Sequence, residues 1–207
     1  MALSAARMKR IVAEICEADV KFLPIVESTA LCTIGRSDAL GSHFESLVES
    51  VVSQQLAVRA ADTIHRRLVD LVNGEITPES IIKLDEAQMR SAGLSGAKTK
   101  TIQGMSKAAI TGAVPFDDLH QLDDNVVFEK LTSLWGIGPW TVDMFMMFQL
   151  GRLDIWPTGD LGVRRGWERI HRLKDQIEPK KLELHGKKFR PHRSVVAWYC
   201  WRTLENK

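Results

Sequence analysis

The chemistry-bearing residues of this 207-residue chain gather between positions 132 and 160. Gly136-Ile-Gly138-Pro139 forms a short turn that opens an apolar run, and Asp160 follows Trp140 by 20 residues, at the end of Ile155-Trp-Pro-Thr-Gly-Asp160. Glycine at 136 and 138 permits positive φ or a close backbone approach, Ile137 can plug the core, and Pro139 suits the first position of a helix. A helix N-terminus opened in this way offers unpaired N–H groups and the positive end of its dipole, which together favour a phosphate oxygen. A Gly-x-Gly turn alone is more often structural. With a carboxylate downstream it suggests docking of a phosphate backbone beside a catalytic acid.

The flanks strengthen this reading. Apolar residues at 126, 127, 131 and 134 precede the turn, and others at 140, 142, 144–148 and 150 follow it, the pattern of helix, tight turn, helix. That unit resembles the helix-hairpin-helix signature of DNA repair glycosylases, with Asp160 where the superfamily places its catalytic aspartate. Four further segments match in order: Val52-Ser-Gln-Gln-Leu-Ala57, Ala92-Gly-Leu-Ser-Gly-Ala-Lys98, Pro157-Thr-Gly-Asp160 and Arg190-Pro-His-Arg-Ser194. Within the superfamily the chain is most similar to the 3-methyladenine (alkylated-base) DNA glycosylases.

The resemblance implies a monofunctional enzyme that flips a damaged base out of duplex DNA and hydrolyses its N-glycosidic bond, initiating base excision repair. Breaking that bond builds positive charge on the sugar, and a fixed carboxylate stabilises it and orients water. Asp160 is the expected group; its other role, N-cap of a helix starting at Leu161, is compatible, because a helix N-terminus favours the ionised form. Asp143 is read as a dipole partner or surface residue in the first turn after the hairpin, and Asp154 as a turn or salt-bridge residue. Lyase-type relatives carry a lysine where this chain has Trp140, and no Lys lies between 131 and 173, so no Schiff base is expected. An aromatic there suits a cationic alkylated base through stacking and cation–π attraction. Trp201 resembles a second pocket aromatic, with a core Trp as the competing role; Met144 could line the same pocket, and Phe44 and Trp156 could be pocket or core.

A base inside a duplex is out of reach until it is flipped. The resemblance makes Leu56 the wedge that fills the gap, against the plainer role of interhelical core residue, with Gln55 a minor-groove contact and Gly136, Ile137, Gly138 and Thr141 docking the strand. Relatives also bind a monovalent cation through hairpin carbonyls, which here belong to Thr132, Leu134 and Ile137. No other cofactor is expected. Two rivals stay open: a glycosylase for other damaged bases, and a non-catalytic helix-hairpin-helix DNA-binding protein, which would need the hairpin but neither Asp160 nor the paired tryptophans.

The elements that must position these residues are helical throughout. Amphipathic spacing predicts helices over 42–55 and 58–72, a capped start at Thr77-Pro78, a short helix from Asp85 to a stop at Gly93, and a helix over 98–110; a last one opens at Pro191 and runs to about Leu204. No alternating strand pattern appears, and the chain reads as all-α. The resemblance implies a six-helix lobe over 37–150 and a second lobe in which 1–36 pack with 151–207, the active-site cleft lying between them.

Net charge is only +2, but residues 164–207 hold 13 basic and 5 acidic side chains, consistent with a DNA-facing surface. Cysteines at 16, 32 and 200 are too scattered for an iron–sulfur cluster, and the six histidines have no metal-ligand spacing. The N-terminus is unlike a signal peptide, and no apolar run approaches the roughly 20 residues that span a bilayer. The expectation is a monomer acting on damaged double-stranded DNA, without membrane contact, in the nucleoid-containing cytoplasm of a bacterium or archaeon or in a eukaryotic nucleus.

Overall fold

The computed structural model describes residues 2–36 and 41–205. Its α-helices in chain order are α1 (Ala5–Ala18), α2 (Leu23–Ser28), α3 (His43–Ser53), α4 (Val58–Leu71), α5 (Pro78–Ile81) and α6 (Glu86–Ser91). They continue with α7 (Gly96–Ile110), α8 (Asp124–Thr132), α9 (Pro139–Phe148), α10 (Leu161–His171), α11 (Pro179–Gly186) and α12 (Arg193–Glu205). No strand occurs among the described residues, so the fold is all-α. The chain divides into two units, Met1–Ala39 with Met146–Lys207, and Leu40–Phe145. The expected lobe boundary at residue 37 falls on 37–40, outside the described residues.

In the 40–145 unit the helix starts follow capping chemistry. Side-chain oxygens of Ser42, Thr77, Asp85 and Ser95 accept the backbone N–H three residues on, at 3.1, 3.1, 2.7 and 3.3 Å. Ser95 therefore starts α7 two residues before the expected Lys98. The apolar stripe of α3 (Leu47, Val48, Val51, Val52) is buried with Leu68 of α4, Met89 of α6, Ile102 and Met105 of α7 and Leu131 of α8. Each such side chain contributes roughly 1.5–3 kcal/mol of apolar transfer.

The other unit is organised on α12, whose residues Arg193–Cys200 are all buried. The Arg190–Pro191 peptide is cis, and the helix starts at Arg193 instead of Pro191. Its main partner is α10, and Gly166 makes the approach close: a Cβ there would run into the Cys200 main chain. Also in this unit, Trp167 stacks on His171 at 3.9 Å, and Phe22 packs edge-on to Phe189 at 5.5 Å.

Candidate active site and nucleic-acid interface

Asp160 ends the loop that leads into α10 and caps that helix. Its Oδ1 accepts the Val163 N–H at 2.7 Å and the Trp201 indole N–H at 2.9 Å. Both donors prefer a charged acceptor, so the pair holds the carboxylate in one orientation. The Trp201 ring reaches it because residue 162 is glycine: a Cβ there would stand 2.8 Å from Trp201 Cδ1. Gly162 and Gly166, one turn apart on α10, together let α12 come close enough for this bond. Phe148, at the end of α9, is 54% exposed and lies 5.8 Å from Trp201, ring centre to ring centre, with a 31° tilt. A half-buried carboxylate is thus bonded to one aromatic ring, and a second, exposed ring lies against the first.

The loop before Asp160 is braced from α12. The guanidinium of Arg193, a buried residue, spans Asp154 with Nε to Oδ1 at 2.7 Å and Nη2 to Oδ2 at 3.0 Å, donates to the Asp154 carbonyl at 3.0 Å and reaches Glu183 at 3.3 Å. Next to it, the Ser194 hydroxyl accepts the Ile155 N–H at 2.9 Å. The matched segment 190–194 therefore fixes the loop that leads to Asp160, and Asp154 is a salt-bridge residue. Trp156 donates to the Leu182 carbonyl at 3.0 Å and is 8% exposed, and Trp198 is 5% exposed. Both are core.

In the 40–145 unit the hairpin closes with Ile137 N–H donating to the Leu134 carbonyl at 3.1 Å, and Ile137 is buried as a plug. The two glycines differ in their work. Gly136 has φ +83° and lies against the Thr101 side chain, so it meets both a backbone and a space requirement. Gly138 has no positive φ, and a Cβ there would meet nothing within 4 Å. The fold itself therefore makes no demand for glycine at 138. Trp140, the second residue of α9, is 52% exposed. Thr141, expected against the DNA strand, is 4% exposed, and its Oγ1 accepts from Gln54 Nε2 at 3.4 Å, so its side chain is tied inside the fold. Phe44 is 2% exposed and packs edge-on to Phe116 at 5.3 Å, a core position. Met144 is partly exposed.

The turn between α3 and α4 carries the expected wedge. Gln55 has φ +58°, a left-handed conformation in a non-glycine residue, and Leu56 after it is 39% exposed. A leucine held outward by a strained backbone is uncovered by its own fold, which fits an apolar filler better than a core role.

Three residues differ from or escape the sequence-based expectation. Asp143 lies beyond the first turn of α9 and is partly buried; burial pushes its carboxyl up to about 6, so it is no solvated surface acid. Phe148 was hidden inside the apolar run, although 140, 144 and 148 share one face of a helix. Trp135 is 54% exposed at the hairpin, with Lys100 Nζ 4.4 Å above its ring. Some cations of the basic tail work internally, Arg193 with Asp154 and Lys188 with Asp19 at 2.9 Å. Cys16, Cys32 and Cys200 are free thiols, and among the described residues no group of three His, Cys, Asp or Glu side chains could hold a metal.

Comparison with known proteins gives concordant matches. The sequence profile described as HhH-GPD superfamily base excision DNA repair protein matches residues 48–191. DNA-3-methyladenine glycosylase 1 of Schizosaccharomyces pombe is 37% identical over 164 residues, 77% of this chain and 72% of that protein. The crystal structure of a DNA-3-methyladenine glycosidase from Bacillus halodurans aligns with TM-score 0.85 at 33% identity, covering 95% of this chain and 89% of the other. The S. pombe 3-methyladenine DNA glycosylase in complex with abasic DNA aligns with TM-score 0.80 at 32% identity, covering 93% and 96%.

Proposed function

Because the chain belongs to the HhH-GPD superfamily of base excision DNA repair proteins, we propose that it hydrolyses the N-glycosidic bond of alkylated bases in duplex DNA, of the 3-methyladenine and 7-methylguanine class. The observation that carries the mechanism is the Trp201 Nε1 to Asp160 Oδ1 hydrogen bond, with Phe148 beside the Trp201 ring. A cationic base is attracted to an electron-rich ring face by about 0.5–2 kcal/mol. The same charge makes it a good leaving group, so no strong general acid is needed. Asp160 then stabilises the positive sugar as the bond breaks and orients the water that attacks C1′.

Trp140 stands where a lyase would carry its amine, so hydrolysis leaves an abasic site in an intact strand. The hairpin N–H groups around Gly138 dock a phosphate, Leu56 fills the gap left by the flipped nucleotide, and Gln55 contacts the minor groove. The carbonyls of Thr132, Leu134 and Ile137 are neutral, hard donors that suit Na⁺ or K⁺ and no transition metal. Such an ion would hold the hairpin in shape, and none of the bond-breaking steps runs through it.

The test is a set of duplexes, each with one lesion: 7-methylguanine, uracil or 8-oxoguanine. The expected result is cleavage of the 7-methylguanine strand only after alkali. An untouched 7-methylguanine duplex, or a strand nicked before alkali, overturns the proposal.

A further inference from the structure

Lys98 sits in the first turn of α7, its own N–H bound to the Ser95 cap. That is the unfavourable end of a helix for a cation, since the dipole is positive there. A lysine at such a site would ordinarily extend into water. Instead Nζ turns inward and donates to the Val52 carbonyl at 2.9 Å and the Gln54 carbonyl at 2.8 Å. These oxygens belong to the last turn of α3 and the residue after it, where carbonyls lack helical partners and the dipole is negative. Burial pushes the amine's pKa down. The ammonium is therefore spent on main chain, at some desolvation cost.

What it holds is the start of the strained turn. Gln54 is further tied by its side chain to Thr141, Gln55 follows at φ +58°, and Leu56 points outward. A left-handed glutamine is strained and persists only where its surroundings impose it. Two charge-assisted bonds on the carbonyls just before it are such an imposition.

We propose that Lys98 is a positioning residue for base flipping: its ammonium clamps the Val52 and Gln54 carbonyls and so presents Leu56 in the conformation that fills the vacated space. This rests on the reading of Leu56 as the filler, and it assigns a task to the Ala92–Lys98 segment that neither the catalytic carboxylate nor the docking hairpin explains.

The experiment compares Lys98→Met, which keeps the stem and removes the donors, with Lys98→Arg, which keeps charge and donors. Single-turnover excision of 7-methylguanine is measured opposite cytosine, where the base must be unpaired, and opposite adenine, where the mismatch has already lowered that cost. Lys98→Met is expected to lose about tenfold opposite cytosine, equivalent to roughly 1.4 kcal/mol, and less than about twofold opposite adenine. Lys98→Arg is expected to recover most of the loss. In a Leu56→Ala background Lys98→Met should cost less than about twofold more, because the two residues act as one unit. Wild-type rates for Lys98→Met, equal losses on both duplexes, or losses that add to those of Leu56→Ala overturn the inference. Should Lys98→Met melt below the assay temperature, Lys98→Gln, which keeps one donor, takes its place with the same criteria and an intermediate loss. If the wild-type protein excises from neither duplex, the glycosylase reading fails; if Leu56→Ala excises normally, the filler reading fails.

Discussion

Replacing Asp160 by asparagine should separate the chemical work of this side chain from its structural work. Oδ1 is the acceptor for both the Val163 N–H, at 2.7 Å, and the Trp201 indole, at 2.9 Å. An asparagine carbonyl can take both bonds, and Asn caps a helix as well as Asp does. The charge is lost, and with it the charge–dipole interaction and the charge assistance of these two bonds, together roughly 1–2 kcal/mol, which lowers Tm by roughly 2–8 °C in a chain of this size. Asp160→Ala differs: it deletes the cap and leaves the Trp201 N–H without its acceptor, together roughly 2–4 kcal/mol and a fall of about 5–15 °C. Catalysis ranks the variants otherwise. Removing the charge that faces the developing cation should lower single-turnover excision by about 10²–10³-fold in Asp160→Asn, the size of effect seen when one preorganised electrostatic group is lost. Binding to undamaged duplex should be unchanged or tighter, since a negative charge has gone. The assays are thermal melting, duplex affinity and alkali-revealed excision of 7-methylguanine. Near-wild-type excision by Asp160→Asn would refute the catalytic assignment, and a melting loss equal to that of Asp160→Ala would refute the cap geometry.

The hairpin glycines should separate by assay: Gly136→Ala lowers stability by about 2 kcal/mol or more, through its φ of +83° and through the clash of the new Cβ with the Thr101 side chain, whereas Gly138→Asp folds normally and weakens binding to any duplex. Normal duplex affinity of Gly138→Asp at several salt concentrations would return the hairpin to a purely structural role. Gly166→Ala should destabilise by about 3 kcal/mol or more, because a Cβ there meets the Cys200 main chain; an unchanged denaturation midpoint would show that α10 and α12 do not pack main chain to main chain. Borohydride added during turnover should trap no protein–DNA adduct, and a shifted gel band would show that an amine acts as nucleophile. Asp143→Asn should stabilise in a pH-dependent way, since burial raises the carboxyl from 3.8 to about 6. The cost of burying the charged form is full above pH 6, fades as pH falls through that window and is gone below 3.8. The variant should gain stability at pH 8 and nothing at pH 3, and an equal gain at both would exclude this cause.

What was legible in the sequence was mostly what side-chain identity alone conveys. Asp160 combines the loop position, the capping residue type and the chemistry, and Trp201 falls at a fixed distance from Arg190-Pro191. The helices followed from apolar spacing and from Ser, Thr and Asp caps. Less legible was which residues of α9 face outward: 144–148 are all apolar, so periodicity carries no signal; the exposed Phe148 was passed over, and Asp143, taken for a surface acid, is partly buried. The distinction between Gly136 and Gly138 was equally hidden, because it depends on Thr101, 35 positions before the first of them.

Lys98 shows why positioning is harder to read than chemistry. Its partners are carbonyls 46 and 44 residues away, groups that every residue carries and that leave no trace in side-chain type. The same stretch of α7 also places Lys100 over Trp135 and Thr101 against Gly136. Within one and a half turns, a helix with no proposed contact to the reacting bond meets both the wedge turn and the hairpin. In the proposed function both act on DNA through main-chain conformation, one through a left-handed glutamine and the other through a glycine turn. Loops of this kind hold strained backbone only when a packed element opposes their relaxation. The N-terminal turns of α7 are that element, so a substitution on their inner face should change how DNA is opened while leaving the carboxylate at Asp160 as competent as before.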